Sequence, residues 1–385
     1  MATSTLPAEA VIDLGAVRDN VRELARRAGG AEVMAVVKAD AYGHGLVPCA
    51  RAARQGGAGW LGVAQLAEGL ALRAAGDAGR MLSWLHVPGD DFAGAVRTGI
   101  DLSVGAPWAL AETVAAARAL GTSARVHLKI DTGLSRGGAT PDDWEDLVRA
   151  ALAAEAEGAV AVVGLWSHLA FADAPDHRVV RHQREVFDLA VARAQALGVR
   201  PEVRHLANSA ATLTDPTVHY DLVRPGLAVF GLSPVPDLHD PAGLGLRPAM
   251  TLRAHLSLVK RVPAGSGVAY GHTHVTDRET VLALVPLGYA DGVPRAAGNV
   301  GPVLVAGAVH RVAGRVSMDQ IVVDLGDDAA AHDARAGDPV VLFGDAGRGE
   351  PTAQQWAEAA GTIAYEIVAR IGSRVPRTHL DEAGA

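Results

Sequence analysis

Between Val33 and Arg224 eight short apolar runs alternate with longer segments of helical pattern, and few folds accept that rhythm. The runs are Val33–Val37, Trp60–Val63, Met81–His86, Asp101–Val104, Arg125–Ile130, Ala161–His168, Glu202–Leu206 and Asp221–Arg224. The intervening segments, such as Ala64–Ala75, Pro107–Leu120, Pro141–Ala156 and Arg178–Leu197, carry apolar residues at spacings of three and four. Eight strand–helix repeats is the count of a (β/α)8 barrel. A doubly wound open sheet is the alternative, but eight repeats without a G-x-G-x-x-G fingerprint speak against it. A barrel puts its chemistry at the C-terminal ends of its strands. The polar residues there are Lys38, Lys129 with Asp131, His168, Asn208 with Ser209, and Arg224.

Around Pro234 to Arg247 proline, glycine and aspartate accumulate, which reads as a linker. Beyond it the pattern turns to strands at Ala249–Lys260, Glu279–Pro286, Pro302–Val305, His310–Val312, Gln320–Asp324 and Pro339–Phe343, as in an antiparallel β domain. Thr352 and Gln355 are spaced for a capping box on a helix ending at Ala360, before a last segment, Thr362–Ile371. The expected domains are 11–240 and 241–385. The chain is 49% apolar with 20% charged residues, so it can bury a large core. Its net charge of −8, without blocks of like charge, argues against a nucleic-acid surface. Cys49 is the sole cysteine, which excludes an internal disulfide and suits a reducing compartment. Met1 to Leu14 lacks a basic and an apolar signal region, and no apolar run reaches membrane-spanning length. The expectation is a soluble, cytoplasmic protein.

The first chemical candidate is Lys38, which ends a buried run and precedes Ala39-Asp40-Ala41-Tyr42-Gly43-His44-Gly45. Desolvation at a strand mouth lowers a lysine's pKa and frees its lone pair for covalent chemistry. The plainer reading is a lysine that snorkels to water. Arg224-Pro225-Gly226-Leu227 makes a tight turn whose amides, with Ser209, could hold a phosphate. An arginine paired to a carboxylate and a serine capping a helix are the plainer readings there. Lys129 and Asp131, two apart on one strand, read by themselves as an ion pair. Four of the five tyrosines, Tyr42, Tyr270, Tyr289 and Tyr365, fall in polar loops rather than core patterns. Tyr270 by itself reads as a turn residue. The His272-x-His274 pair has no third ligand nearby and carries no metal site.

These motifs, with Lys129-Ile130-Asp131-Thr132-Gly133-Leu134-Ser135-Arg136, His205-Leu206-Ala207-Asn208-Ser209 and Gly314-Arg315-Val316-Ser317-Met318-Asp319, resemble those of the alanine racemases, from about Val11 to Arg377. The resemblance implies a fold-type III architecture, in which Met1–Ala10 leave the barrel and join the C-terminal β domain. It implies pyridoxal 5'-phosphate, carried on Lys38. Tyr42, His168, Asn208, Ser209, Arg224, Gly226, Leu227 and Tyr365 would bind the cofactor. Arg224 would face its pyridine nitrogen, oriented by His168. Arg136 would contact the substrate carboxylate and the cofactor's phenolic oxygen. Met318 and Asp319 would line the substrate carboxylate from a second subunit. A carbamylated Lys129, or a chloride in its place, would orient Arg136. Asp173, Tyr289, Arg295, Arg315 and Ile363 would line an access channel.

Two departures from the family pattern, Leu134 for a commoner methionine and Phe230 for a commoner tyrosine, are modest. The implied reaction interconverts L- and D-alanine with one base per face, Lys38 and the Tyr270 of the other subunit of a homodimer, and supplies D-alanine for peptidoglycan. A racemase for serine or another amino acid remains open on the same scaffold. A non-enzymatic cofactor carrier lacks the β domain, and a decarboxylase of this fold carries a glycine-rich phosphate triplet absent here.

Overall fold

The computed structural model describes residues 6–381 apart from 328. The chain divides into two compact units. One comprises residues 17–41 and 46–246; the other comprises the described parts of 1–16 and 247–385, together with 42–45.

In the first unit, eight parallel strands form one sheet: β2 (Glu32–Val36), β3 (Trp60–Val63), β4 (Arg80–Ser83), β5 (Asp101–Val104), β6 (Ala124–Lys129), β7 (Val160–Trp166), β8 (Val203–His205) and β9 (Leu222–Val223). They run in chain order, and β9 pairs with β2 through Glu32–Leu222 and Val33–Val223. Asp221 N donates to Arg204 O at 3.1 Å and Arg224 N to Ala207 O at 2.9 Å, which brings β9 against β8 and nearly closes the barrel. The intervening helices are α3 (Leu46–Gln55), α4 (Leu66–Ala74), α5 (Phe92–Arg97), α6 (Pro107–Leu120), α7 (Pro141–Ala156), α8 (Arg178–Leu197) and the short α9 (Ser209–Thr214), and α1 (Leu14–Arg27) precedes β2. Proline at the first position starts α6 and α7, where its missing N–H costs nothing, and left-handed Gly121 ends α6.

Met34, Trp60, Leu82, Val203 and Leu222 pack into one buried cluster of strand residues, joined by Trp84. Two strand glycines make room for large neighbours. A Cβ on Gly62 would meet the Trp84 ring at 2.7 Å, and one on Gly164 would overlap the His127 ring.

One expected loop is a regular element instead. Directly after β2, α2 (Lys38–Gly43) turns with φ near +54° at Ala39, Asp40, Ala41 and Tyr42. It is a turn of left-handed helix, a conformation that costs each non-glycine residue about 1–2 kcal/mol. Side chains and backbone hold it. Glu68 Oε1 accepts from Ala39 N at 2.6 Å, Asp40 Oδ1 from Leu46 N at 2.7 Å, and Val37 O from Ala41 N at 2.8 Å.

The second unit is built on a six-stranded sheet of order β16-β15-β18-β10-β1-β19. Its strands are β1 (Ala8–Asp13), β10 (Met250–His255), β15 (Pro302–Val305), β16 (Ala308–Arg311), β18 (Pro339–Phe343) and β19 (Arg377–Leu380). β11 (Leu258–Val262), β14 (Thr280–Val285) and β17 (Ile321–Gly326) form a three-stranded antiparallel sheet, and β12 (Gly267–Val268) pairs with β13 (His274–Val275). The single strand expected at Ala249–Lys260 is two, in different sheets. The chain leaves the first sheet at Leu256, whose N donates to Asp338 O, and joins the second at Ser257, whose N donates to Leu284 O. Three helices, α10 (Ala329–Asp333), α11 (Ala353–Ala360) and α12 (Ala364–Ala369), complete the unit. The capping box on α11 is formed: Thr352 Oγ1 accepts from Gln355 N, and Gln355 Oε1 from Thr352 N.

β1 pairs antiparallel with β10 and parallel with β19. This pairing reaches Asp13, three residues past the Ala10 expected to mark the end of the segment; Met1–Thr5 of that expectation lie outside the described residues. Glu9, 3% exposed, fixes the strand. Its Oε1 accepts from Arg253 Nη2 at 2.8 Å and Nε at 3.1 Å, and its Oε2 accepts from the Thr378 hydroxyl. Glu9→Gln removes the charge and misplaces one donor, and should lower the urea-unfolding free energy by about 1–3 kcal/mol. An unchanged midpoint would show that β1 is held by its backbone alone.

Candidate active site

At the C-terminal mouth of the barrel, Lys38, Trp84, Lys129, Arg136 and Gly137 line a cavity of about 420 Å3. Lys38 is the second residue past β2, and its Nζ lies 5.9 Å from the Trp84 ring centre. Burial, then the nearby Arg136 charge, hold its amine below the ordinary lysine range; Glu68 opposes them, and Arg224 adds to the lowering. Lys129 ends β6 with its Nζ 4.4 Å over the Trp166 ring. Burial first, then Arg224 and Arg136, push that amine down to about 8.

Asp131 makes no ion pair with Lys129, which corrects the reading of the two as partners. Its Oδ1 accepts instead from the amides of Gly133, Leu134 and Ser135 at 2.9, 3.0 and 3.1 Å, and so shapes the loop that leads to Arg136. Arg136 is exposed at the cavity wall, and no hydrogen bond or ion pair holds it among the described residues.

Arg224 follows β9 and is 4% exposed. Its Nη2 donates to Ser167 O at 2.8 Å, to His168 Nδ1 at 3.2 Å and to Leu206 O at 3.3 Å, and its Nη1 donates to His205 Nδ1 at 3.2 Å. No carboxylate pairs with it among the described residues. Burial pushes the guanidinium down to about 9, still a cation at neutral pH. His168 stands two residues past β7, and burial together with Arg224 holds it well below its ordinary range, hence neutral. Beside them Ser209 Oγ accepts from Gly226 N at 2.7 Å and Ala228 N at 3.4 Å. The structure thus brings Ser209 to the Arg224–Leu227 turn. The cap of α9 is Asn208, whose Oδ1 accepts from Ala211 N, so Ser209 is not the capping serine. Asp173 is exposed on the loop after β7.

The second unit carries the remaining candidates. Tyr42 is buried with its ring centre 6.2 Å from that of Tyr365, and burial pushes its phenol well above the ordinary range. The backbone after it is tied to β19: Gly43 O accepts from Arg377 Nε at 2.9 Å and His44 O bonds His379 Nε2 at 2.8 Å. Gly43, at φ +81°, has no room for a Cβ beside the Val368 carbonyl.

Tyr270 is 72% exposed on a turn whose Ala269 and His272 both have positive φ. That turn packs on Gly314 and Arg315. The next residues hold a second loop, because Ser317 O and Met318 O accept from Tyr289 N and Ala290 N at 3.0 Å. Gly288 lies so close to those carbonyls that no side chain fits. Tyr270, Tyr289, Met318 and Ile363 are all exposed, as are Arg295 and Arg315, while Asp319 binds Arg374 at 2.7 Å.

Sequence reasoning passed over Glu68, Trp84 and Trp166, and took His205 only as part of a family motif. Glu68 had a faint signal, since its position three residues after Gln65 suits the capping box observed on α4. The two tryptophans read as core.

The donor set suits a phosphorylated aldehyde cofactor: a half-buried lysine, a buried arginine, backbone amides around Ser209 and a cavity rich in cations. With the barrel fold, this defines a pyridoxal-phosphate enzyme of the barrel type. The comparisons name it more closely. Residues 12–234 match the model of the alanine racemase N-terminal domain and residues 249–379 that of the C-terminal domain. The alanine racemase of Frankia casuarinae is 60% identical over 371 residues, covering 96% of each chain. That of Streptomyces coelicolor is 58% identical over 386 residues, covering 99% of this chain and 98% of the relative. The crystal structure of alanine racemase from D-cycloserine-producing Streptomyces lavendulae superposes with a TM-score of 0.96 at 60% identity and 98% coverage of both chains. The chain belongs to the alanine racemase family, whose members are pyridoxal-phosphate-dependent isomerases.

Proposed function

We propose that this chain interconverts L- and D-alanine by two-base proton transfer between Lys38 and the Tyr270 of a second copy. The observation that carries the reading is the barrel mouth itself. A half-buried lysine of lowered pKa stands there among cations, beside a cavity of about 420 Å3. When bound, pyridoxal phosphate holds the substrate's amino group and withdraws electrons from its α carbon, which makes the α proton removable. Lys38 is the attachment point, and its amine serves the face that carries the D-enantiomer's proton. Tyr270 serves the opposite face.

Arg224 presents only N–H donors and keeps its protons, so against a bound cofactor's pyridine nitrogen it would leave that nitrogen unprotonated and the ring a weak electron sink. That suits removal and return of one proton. His168 orients Arg224. Asn208, Ser209, Gly226 and Leu227 would hold the phosphate end. Arg136 holds the substrate carboxylate and the phenolic oxygen. We further infer that 11–240 and 241–385, the latter with 1–10, are the two working domains, supported by the matched segments at 12–234 and 249–379.

Tyr270, Met318 and Tyr289 stand out from the second unit as exposed apolar side chains, which supports their work against another copy. The assembly is a two-fold homodimer with two shared sites. Met318 and Asp319 then line the partner's substrate carboxylate, and Asp173, Tyr289, Arg295, Arg315 and Ile363 border the access channel. No helix is long and apolar enough to cross a membrane among the described residues. We place the enzyme in the cytoplasm, supplying D-alanine for peptidoglycan.

Two outcomes follow. Lys38→Ala and Tyr270→Phe are each nearly inactive alone, but a refolded mixture recovers roughly a quarter of native activity, because half the dimers pair one intact Lys38 with one intact Tyr270. A mixture as inactive as its components would contradict action across the dimer. The second outcome concerns Lys129. Only its neutral amine adds carbon dioxide, releasing one proton and leaving a carbamate anion. With the amine at about 8, labelled bicarbonate should give a carbamate signal that grows as pH rises through about 8 and is absent in Lys129→Gln. A signal unchanged by that substitution would contradict the assignment.

A further inference from the structure

The buried polar contacts of Arg224 do not end at His205. His205 Nε2 lies 2.8 Å from His127 Nδ1, and His127 Nε2 lies 3.2 Å from Asp101 Oδ2. Both rings are fully buried and Asp101 is 2% exposed. Asp101 is met by Arg125 Nε at 3.0 Å and by Arg80 Nη2 at 3.7 Å, and both arginines also bind Glu202. Asp101 opens β5 and Arg125 lies near the start of β6, so this cluster forms the barrel floor, the end opposite Lys38.

The direction of every bond in the line follows from its two ends. A guanidinium has only donors, so His205 must accept at Nδ1 and carry its proton on Nε2. His205 then donates to His127 Nδ1, which leaves the His127 proton on Nε2, pointed at the carboxylate. A second proton on His205 would set N–H against N–H at Arg224. The line is therefore two neutral histidines polarised one way between a buried cation and a buried anion. Burial and Arg224 together hold His205 well below its ordinary range, in agreement with that arrangement.

The surroundings are built for these rings. Trp166 stacks on His205 with ring planes 6° apart, Trp60 meets His127 edge-on at 5.5 Å, and Gly164 leaves no Cβ where His127 sits.

We infer that Asp101, His127 and His205 are positioning residues of the racemisation, a relay through the barrel core that fixes the histidine tautomers under Arg224 and holds its guanidinium in place. The inference rests on the reading that Arg224 faces the cofactor's pyridine nitrogen. Removing the anion at the floor then alters the mouth without touching it. Hydrogen-bonded chains polarise one another, and their members act as a unit.

The native apoprotein gives the first test, without a variant and without the cofactor. In protein labelled with 15N-histidine, the signals of His127 and His205 should both report a neutral ring with the proton on Nε2. A proton on Nδ1, or a charged ring at neutral pH, would overturn the relay while leaving Lys38 chemistry intact.

Asp101→Asn in the loaded enzyme gives the second. Its kcat should fall about tenfold, the equivalent of one pKa unit of interaction, with KM little changed. The pH midpoint of the bound cofactor's absorbance should shift, and Asp101→Glu should restore both. A kcat and an absorbance profile that match the native enzyme would make the line purely structural. A shift that Asp101→Glu does not restore would also overturn it.

Discussion

Everything at the barrel mouth depends on a concentration of positive charge that the nearby carboxylates only partly offset. Lys38, Lys129, Arg136 and Arg224 lie close enough to depress the two lysine amines, and Arg224 is buried. The two carboxylates nearest them are committed elsewhere. Glu68 accepts from Ala39, Ala64 and Gln65 amides, and Asp131 from three loop amides. Burying a cation without a counter-anion is costly, and Arg224, with no carboxylate pairing it among the described residues, gains when an anionic ligand arrives. A phosphorylated cofactor and an amino-acid carboxylate are such ligands. The same field leaves more of the Lys38 amine unprotonated and keeps His168 neutral, so binding and chemistry draw on one arrangement.

The scaffold that maintains this arrangement is strained at its centre. The left-handed turn after Lys38 fixes where the chain departs from β2. Without Glu68 and Asp40 bonding to its amide and to Leu46, four residues would relax to ordinary conformations and the lysine would lose its heading. The strain is local and is compensated by hydrogen bonds from neighbouring elements, as at many functional sites.

Much of this was legible in the sequence, for reasons that differ by element. Helices Pro107–Leu120, Pro141–Ala156 and Arg178–Leu197 were readable to the residue because proline, glycine and threonine or histidine mark their ends. Strands Trp60–Val63, Asp101–Val104, Pro302–Val305 and Pro339–Phe343 stood out because they are short apolar runs between turn residues. β1 gave no local signal, since its pairing with β10 and β19 links residues more than two hundred apart; only the family resemblance placed the first residues with the C-terminal unit. The break at Leu256 was hidden because alternation continues across it. The left-handed turn was invisible, as its alanines carry no conformational signal. The strand-end rule for barrels pointed to Lys38 and Arg224, and a family motif supplied Arg136. No motif supplied His127 or Asp101, which lie in strands and read as core; only the tautomer logic from Arg224 downward singles them out.

The central claim is that each face of the substrate has its own base. It is tested most directly by proton exchange in heavy water, with native enzyme and Tyr270→Phe given single enantiomers of alanine under pre-steady conditions. The account predicts that Tyr270→Phe still washes deuterium into D-alanine through Lys38, while exchange from L-alanine falls by orders of magnitude. Equal loss from both enantiomers would contradict it, since Tyr270 would then not be the base of one face alone.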